Sequence, residues 1–153
     1  MNPSYEMAGY FAENIKLKRS QKGYLEKIGF KISALNLNDQ DHVLSLKFTV
    51  ALEFDDIKDN QIDYMVGFIL KDPALQHEIL TAIQNKTLHD DDTVNKLVSS
   101  MAVTAYPFIR AHLFNLTLDN RHPIQLPLFD LSSVTLKNGI EFKQKQPDLS
   151  KIN

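Results

Sequence analysis

HVLSLKFTVALEF, residues 42–54, is the stretch that decides how this chain folds. Leu44, Leu46, Phe48, Val50, Leu52 and Phe54 take every second position, and Ser45, Lys47, Thr49, Ala51 and Glu53 fill the gaps. Successive side chains of a strand point to opposite faces, so this period of two predicts a long strand with one buried face and one wet face. Such one-sided strands belong to antiparallel sheets.

Working outward, Ile62, Tyr64, Val66, Phe68 and Leu70 repeat the alternation. The polar stretch 55–60 between the two runs predicts a hairpin. Upstream, Ile28, Phe30, Ile32 and Ala34 alternate with Lys27, Gly29, Lys31 and Ser33, and a polar turn over 36–41 leads into the next strand. Between Tyr5 and Lys18, Gly9 weakens a helix, and Ile15 to Lys18 alternates, so a fourth, edge strand is expected. At Asp72-Pro73 the pattern changes. Asp can cap a helix and Pro tolerates its first position, and Leu75, Ile79 and Ile83 follow at helical spacing.

Asp90-Asp91-Asp92 opens a second helix, with carboxylates at the positive end of its dipole. Val94, Leu97, Val98, Met101, Ala105, Phe108, Ile109, His112, Leu113 and Leu116 carry it for about seven turns. Pro107 lies inside it and predicts a kink. Pro123 and Pro127 end helical structure, leaving Ile124 to Leu131 apolar and extended. A short hairpin is expected around Asn138-Gly139. The expected architecture is α+β: a four-stranded antiparallel sheet with a long kinked helix packed on one face. Residues 1–135 form one domain, and 136–153 a polar C-terminal tail.

The 153 residues suffice for one core, and the formal charge of -2 argues against a nucleic-acid partner. Without cysteine there is no disulfide, thiol nucleophile or thiolate metal site. No run approaches the 18 apolar residues that span a bilayer. MNPSYEMAGYFAENIK has no basic segment followed by an apolar run, so no secretory signal is read and a cytoplasmic protein is expected.

The search for chemistry yields no enzyme. Five histidines (His42, His77, His89, His112 and His122) form no H-E-x-x-H, and the five glycines build no phosphate-binding loop. His89 beside Asp90, Asp91 and Asp92 reads as a helix-capping loop before a metal site. His112 falls on the apolar face of the long helix and reads as a hydrogen-bonded core histidine. Glu53, Asp55, Asp56, Asp59 and Asp63 surround a predicted turn and read as solvated. Lys16, Lys18, Arg19 and Lys22 form a basic cluster at a strand end. No metal and no cofactor is expected.

Tyr106-Pro107-Phe108-Ile109-Arg110 resembles the aromatic-Pro-aromatic-x-Arg motif in the long helix of the SecB family of export chaperones. His122-Pro123 stands at the spacing of that family's aromatic-Pro step. Leu126-Pro127-Leu128-Phe129-Asp130-Leu131 is similar to the stretch that follows it. The order of elements agrees, and the motif itself covers about two dozen residues.

The resemblance implies an ATP-independent holdase for non-native polypeptides, assembled as a homo-oligomer (dimer or tetramer) with helices sandwiched between sheets. Carried onto this chain, it implies client contacts at Ile28, Phe30, Ile32, Ile124, Leu126, Leu128 and Phe129. Tyr106, Pro107, Phe108, Arg110 and Pro123 would be the structural motif. The family docks on the SecA motor through acidic residues, but the matching positions here are Asn14 and Lys18. Ser132 to Asn153 also replaces the family's C-terminal helix. Both departures favour a divergent relative, such as the chaperones that serve one antitoxin of a toxin–antitoxin system. The rival expectations are a structural or regulatory oligomer of the same fold without client binding, and a small-molecule pocket around His112 and Arg110.

Overall fold

The computed structural model describes residues 4–18, 24–118, 123–128 and 130–143. Its strands are β1 (Tyr5–Lys16), β2 (Leu25–Leu37), β3 (Val43–Phe54), β4 (Asn60–Leu70) and β5 (Ile140–Lys143). Its helices are α1 (Pro73–Gln84) and α2 (Asp92–Leu116). The strands form one antiparallel sheet in the order β1-β4-β3-β2-β5.

β3 behaves as its alternation predicts. Leu44, Leu46, Phe48, Val50, Leu52 and Phe54 are all buried, and the residues between them are half-exposed. It pairs with β2 on one side and β4 on the other, so Phe48 lies opposite Ile32 and Tyr64, and Val50 opposite Phe30 and Ile62. Matching parity across the three strands places every apolar set on one face, where the helices cover it.

The N-terminal segment is the edge strand expected. It runs beside β4 rather than β2. Tyr5 holds it to α2, its phenol 2.6 Å from Ser100 Oγ and 3.1 Å from Thr104 Oγ1. Near its end Asn14 takes a positive φ of 51° at an irregularity in the ladder. Its Nδ2 donates to Asp63 Oδ2 at 3.1 Å, while Thr49 Oγ1 donates to Asp63 Oδ1 at 2.9 Å. Asp63 is therefore buried and satisfied, and not the solvated turn residue its acidic neighbourhood predicted.

The sheet has five strands among the described residues, not four. The fifth is Ile140–Lys143, which adds to β2 from Lys27↔Lys143 to Phe30↔Ile140. Ile140 and Phe142 pack against the core, and Lys27 Nζ meets Glu141 Oε1 at 3.1 Å. Four residues are too few for alternation to stand out. The local hairpin expected around Asn138-Gly139 is not formed, since β5 pairs with a strand more than a hundred residues earlier. Leu136 is buried too, so 136–143 belongs to the fold; the rest of the polar tail, 144–153, lies outside the described residues.

Both helix starts follow the sequence. Asp72 Oδ1 accepts from Ala74 N at 3.0 Å with Pro73 in the first turn, and Asp91 Oδ1 accepts from Val94 N at 3.0 Å. α2 is assigned as one helix of 25 residues through Pro107, which has no amide to bond the Val103 carbonyl. Its buried side is Val94, Leu97, Val98, Met101, Ala102, Ala105, Tyr106, Ile109 and Leu113.

Candidate functional site

The segment that precedes β5 along the chain is a strap, residues 123–128 and 130–136, laid against α2. Ile124 N donates to Thr117 Oγ1 at 2.8 Å near the end of the helix. Arg110 Nε donates to the Leu126 carbonyl at 2.5 Å, and the Tyr106 hydroxyl donates to the Pro127 carbonyl. Ser99 Oγ donates to the Val134 carbonyl at 2.5 Å, and Leu136 N donates to Asn95 Oδ1 at 3.1 Å. Positions 95, 99, 106, 110 and 117 recur at intervals of four and seven, so they share one stripe of α2. Side chains of the helix thus hold the strap by its backbone.

The apolar side chains of the strap point inward. Ile124, Leu126, Leu131, Val134 and Leu136 are buried. Leu128 breaks the pattern and is 80% exposed. Tyr106 is fixed from below by the edge of the Phe30 ring, centroids 5.4 Å apart. Burial pushes its phenol up to about 12.

Beside the tethered stripe and away from the sheet, α2 carries a second stripe that none of the described residues covers. From Ser100 through Val103, Pro107 and Ala111 to Leu118, the exposed positions lie within about a quarter of the helix circumference at 100° per residue. None is charged. Val103 is 49% exposed, Phe108 on its flank 48% and Leu118 just beyond the helix 53%. Tyr10 of β1 extends this surface, its ring 6.0 Å from Phe108 and 6.0 Å from His112. Phe11 and Ile15 of the same edge strand are also exposed.

The expected site residues divide sharply. Ile28, Phe30 and Ile32 are buried in the sheet–helix core, and Ile124 and Leu126 are buried on the inner side of the strap. Their side chains hold the layers together and present no surface in this chain. Leu128 is the exposed one, and Phe129 lies outside the described residues, as does His122. Of the motif residues, Tyr106 and Arg110 tether the strap, Phe108 is exposed beside Tyr10, Pro107 is on the uncovered stripe and Pro123 is half-buried at the strap's start.

His112 is half-buried, its Nδ1 3.0 Å from the Tyr64 hydroxyl. Burial drives the Tyr64 phenol far above its ordinary range. His112 and Arg110 do not converge on a cavity, because each is committed to its own partner. Asp90 pairs with Lys137 at 3.1 Å, Asp91 caps α2, and the His89 carbonyl accepts from Asn95. Among the described residues no three His, Asp or Glu side chains are gathered for a metal ion. Asp59 meets Lys16 at 2.9 Å and Lys18 at 3.6 Å; Arg19 and Lys22 lie outside the described residues. A hollow of about 410 Å³ lies on the opposite face of the sheet, over Gly29 and Ala51 and rimmed by Lys27, Lys31, Glu53 and Glu141. No helix among the described residues is long and apolar enough to cross a membrane.

Sequence reading missed the tethers at Asn95, Ser99 and Thr117, which are ordinary residues on a helix. It also missed the uncovered stripe, although a signal was present: 97–109 contains no charged residue, so the helix is uncharged all round there.

No family model matches the chain, and no curated protein matches it. Among solved structures it is similar to a SecB-like chaperone of Mycobacterium tuberculosis in complex with a ChAD peptide from the HigA1 antitoxin. That likeness has 12% sequence identity and a TM-score of 0.42, and covers 83% of this chain and 88% of the other.

Proposed function

We propose that this protein is a SecB-like chaperone without enzymatic chemistry. It assembles as a homo-oligomer and holds apolar segments of non-native or client polypeptides. The observation that carries the reading is the uncharged stripe of α2 from Ser100 to Leu118, left uncovered by the described residues, with exposed Phe108 and Tyr10 on one flank and the outward Leu128 on the strap. An uncharged helix face left without cover is suited to contact with other polypeptide. Extended apolar patches on a soluble domain mark association surfaces, and they capture unfolded chains without reading sequence.

The surface has room for two uses. The flat helix stripe suits a second copy of the chain, giving the sandwiched helices the motif implies, while the strap and its exposed Leu128 face outward as the client-contacting element. The client is either a broad set of export-type chains or one antitoxin. Asn14 and Lys18 stand where the family carries its acidic docking residues, which speaks against docking on a SecA-type motor.

The test is suppression of aggregation. The purified chain, at molar ratios up to tenfold, is mixed with a chemically unfolded polypeptide diluted from denaturant, and light scattering is followed. Suppression that is lost in Leu128→Ser supports the reading. No suppression of any unfolded polypeptide, together with a monodisperse assembly whose stripe is fully covered, favours the structural oligomer.

A further inference from the structure

We propose that Tyr106 and Arg110 act as positioning residues that hold Leu128 out of the fold as a preset apolar anchor for a client segment. The inference rests on the chaperone reading and names the residue through which it acts.

The geometry lies in two consecutive carbonyls. Arg110 Nε donates to the carbonyl of Leu126 at 2.5 Å, and the Tyr106 hydroxyl donates to the carbonyl of Pro127. In extended chain, successive carbonyls point to opposite sides. Tyr106 and Arg110 stand one turn apart on the same side of α2, so both carbonyls face the helix, which a regularly alternating strand would not allow. Pro127 fixes its own φ and has no amide to pair elsewhere.

The consequence is a reversal of parity. Ile124 and Leu126 point in, and alternation would send Leu128 in after them. Leu128 is instead 80% exposed, more than any other large apolar side chain among the described residues. The tethers are themselves rigid: the Tyr106 ring is buried on Phe30, and Arg110 is half-buried beside it. A side chain held in place beforehand loses less freedom on binding than one on a mobile loop.

A double-mutant cycle on the full chain tests this. The probe is a reduced, carboxymethylated polypeptide bearing a fluorophore, and its affinity is read by anisotropy for wild type, Tyr106→Phe, Leu128→Ser and the double variant. Leu128→Ser should weaken binding at least about tenfold, as expected for losing one buried leucine. Tyr106→Phe should weaken it about fivefold, as expected for one hydrogen bond. In the double variant, binding should be no weaker than in Leu128→Ser alone, because the tether acts only through that side chain. Arg110→Gln replaces Tyr106→Phe if the latter melts early.

Effects that multiply in the double variant assign Tyr106 a merely structural role and overturn the proposal. So does a Leu128→Ser variant that changes the molar mass of the assembly while client affinity stays the same. If wild type binds and neither single variant changes affinity, only this inference fails. If wild type binds no unfolded probe, the chaperone reading fails and takes the inference with it.

Discussion

Replacing Gly139 with alanine should detach β5 from β2. A Cβ at Gly139 would lie 2.5 Å from the Phe30 carbonyl oxygen and 3.1 Å from Lys31 Cγ. The lysine can swing away, but the carbonyl belongs to the buried β2 ladder and cannot. The φ of Gly139 lies outside the left-handed region, so glycine is required for space and not for backbone conformation.

The magnitude follows from what β5 contributes. Ile140 and Phe142 are each partly buried, worth about 1–1.5 kcal/mol apiece, half the value of full burial. The ladder bonds to β2 add about 1 kcal/mol each, and ordering the four residues costs about as much again. The net loss is therefore about 2 kcal/mol, or a fall in melting temperature of about 4–8 °C for a chain of this size. Thermal unfolding gives the total, and amide exchange locates it. Protection should fall at Ile140–Lys143 and along Lys27–Phe30, while β3 and β4 keep theirs. Gly29→Ala is the control, because its Cβ would meet Ala51 Cβ at 3.6 Å, an ordinary contact, and should cost less than about 0.5 kcal/mol. An alanine at 139 that leaves both melting and exchange unchanged refutes the close-approach argument.

Other outcomes are open to measurement. Asp91→Ala removes the α2 cap and should cost about 1 kcal/mol, read as a shift of the urea midpoint without change in slope. Asp63→Ala strands the Thr49 hydroxyl and the Asn14 amide and should cost about 1–3 kcal/mol, with exchange rising first at the end of β1. The buried phenols predict loss of stability at high pH. The Tyr106 value is raised to about 12 from about 10 in the unfolded chain, so its contribution is complete below pH 10 and fades as pH climbs from there through 12. Urea unfolding between pH 8 and 11 should show the decline, and Tyr106→Phe should flatten it. Val103→Glu places a charge on the uncovered stripe; light scattering should show a smaller assembly, and an unchanged mass excludes the stripe as a self-association surface.

Much of the fold is written in periodicity. β2, β3 and β4 announce themselves because alternation over eight or more residues has one explanation, a strand with one buried face. The starts of α1 and α2 are equally legible, because Asp72, Pro73 and Asp91 act on backbone groups within three residues of themselves. The uncharged run 97–109 is a signal that the sequence holds but that periodicity alone does not bring out, because the helix's apolar stripe already accounts for its buried face.

What the sequence could not decide is whatever depends on distant partners. Nothing local to Tyr5–Lys16 chooses β4 over β2 as its neighbour, and nothing local to Ile140–Lys143 reveals that Lys27–Phe30 lacks a strand. The same holds for the candidate site. Ile28, Phe30, Ile32, Ile124, Leu126 and Leu128 are all apolar, and composition treats them alike. Only tertiary structure separates the five that fill the core from the one left outside, because burial is settled by which elements meet and which carbonyls Tyr106 and Arg110 can reach.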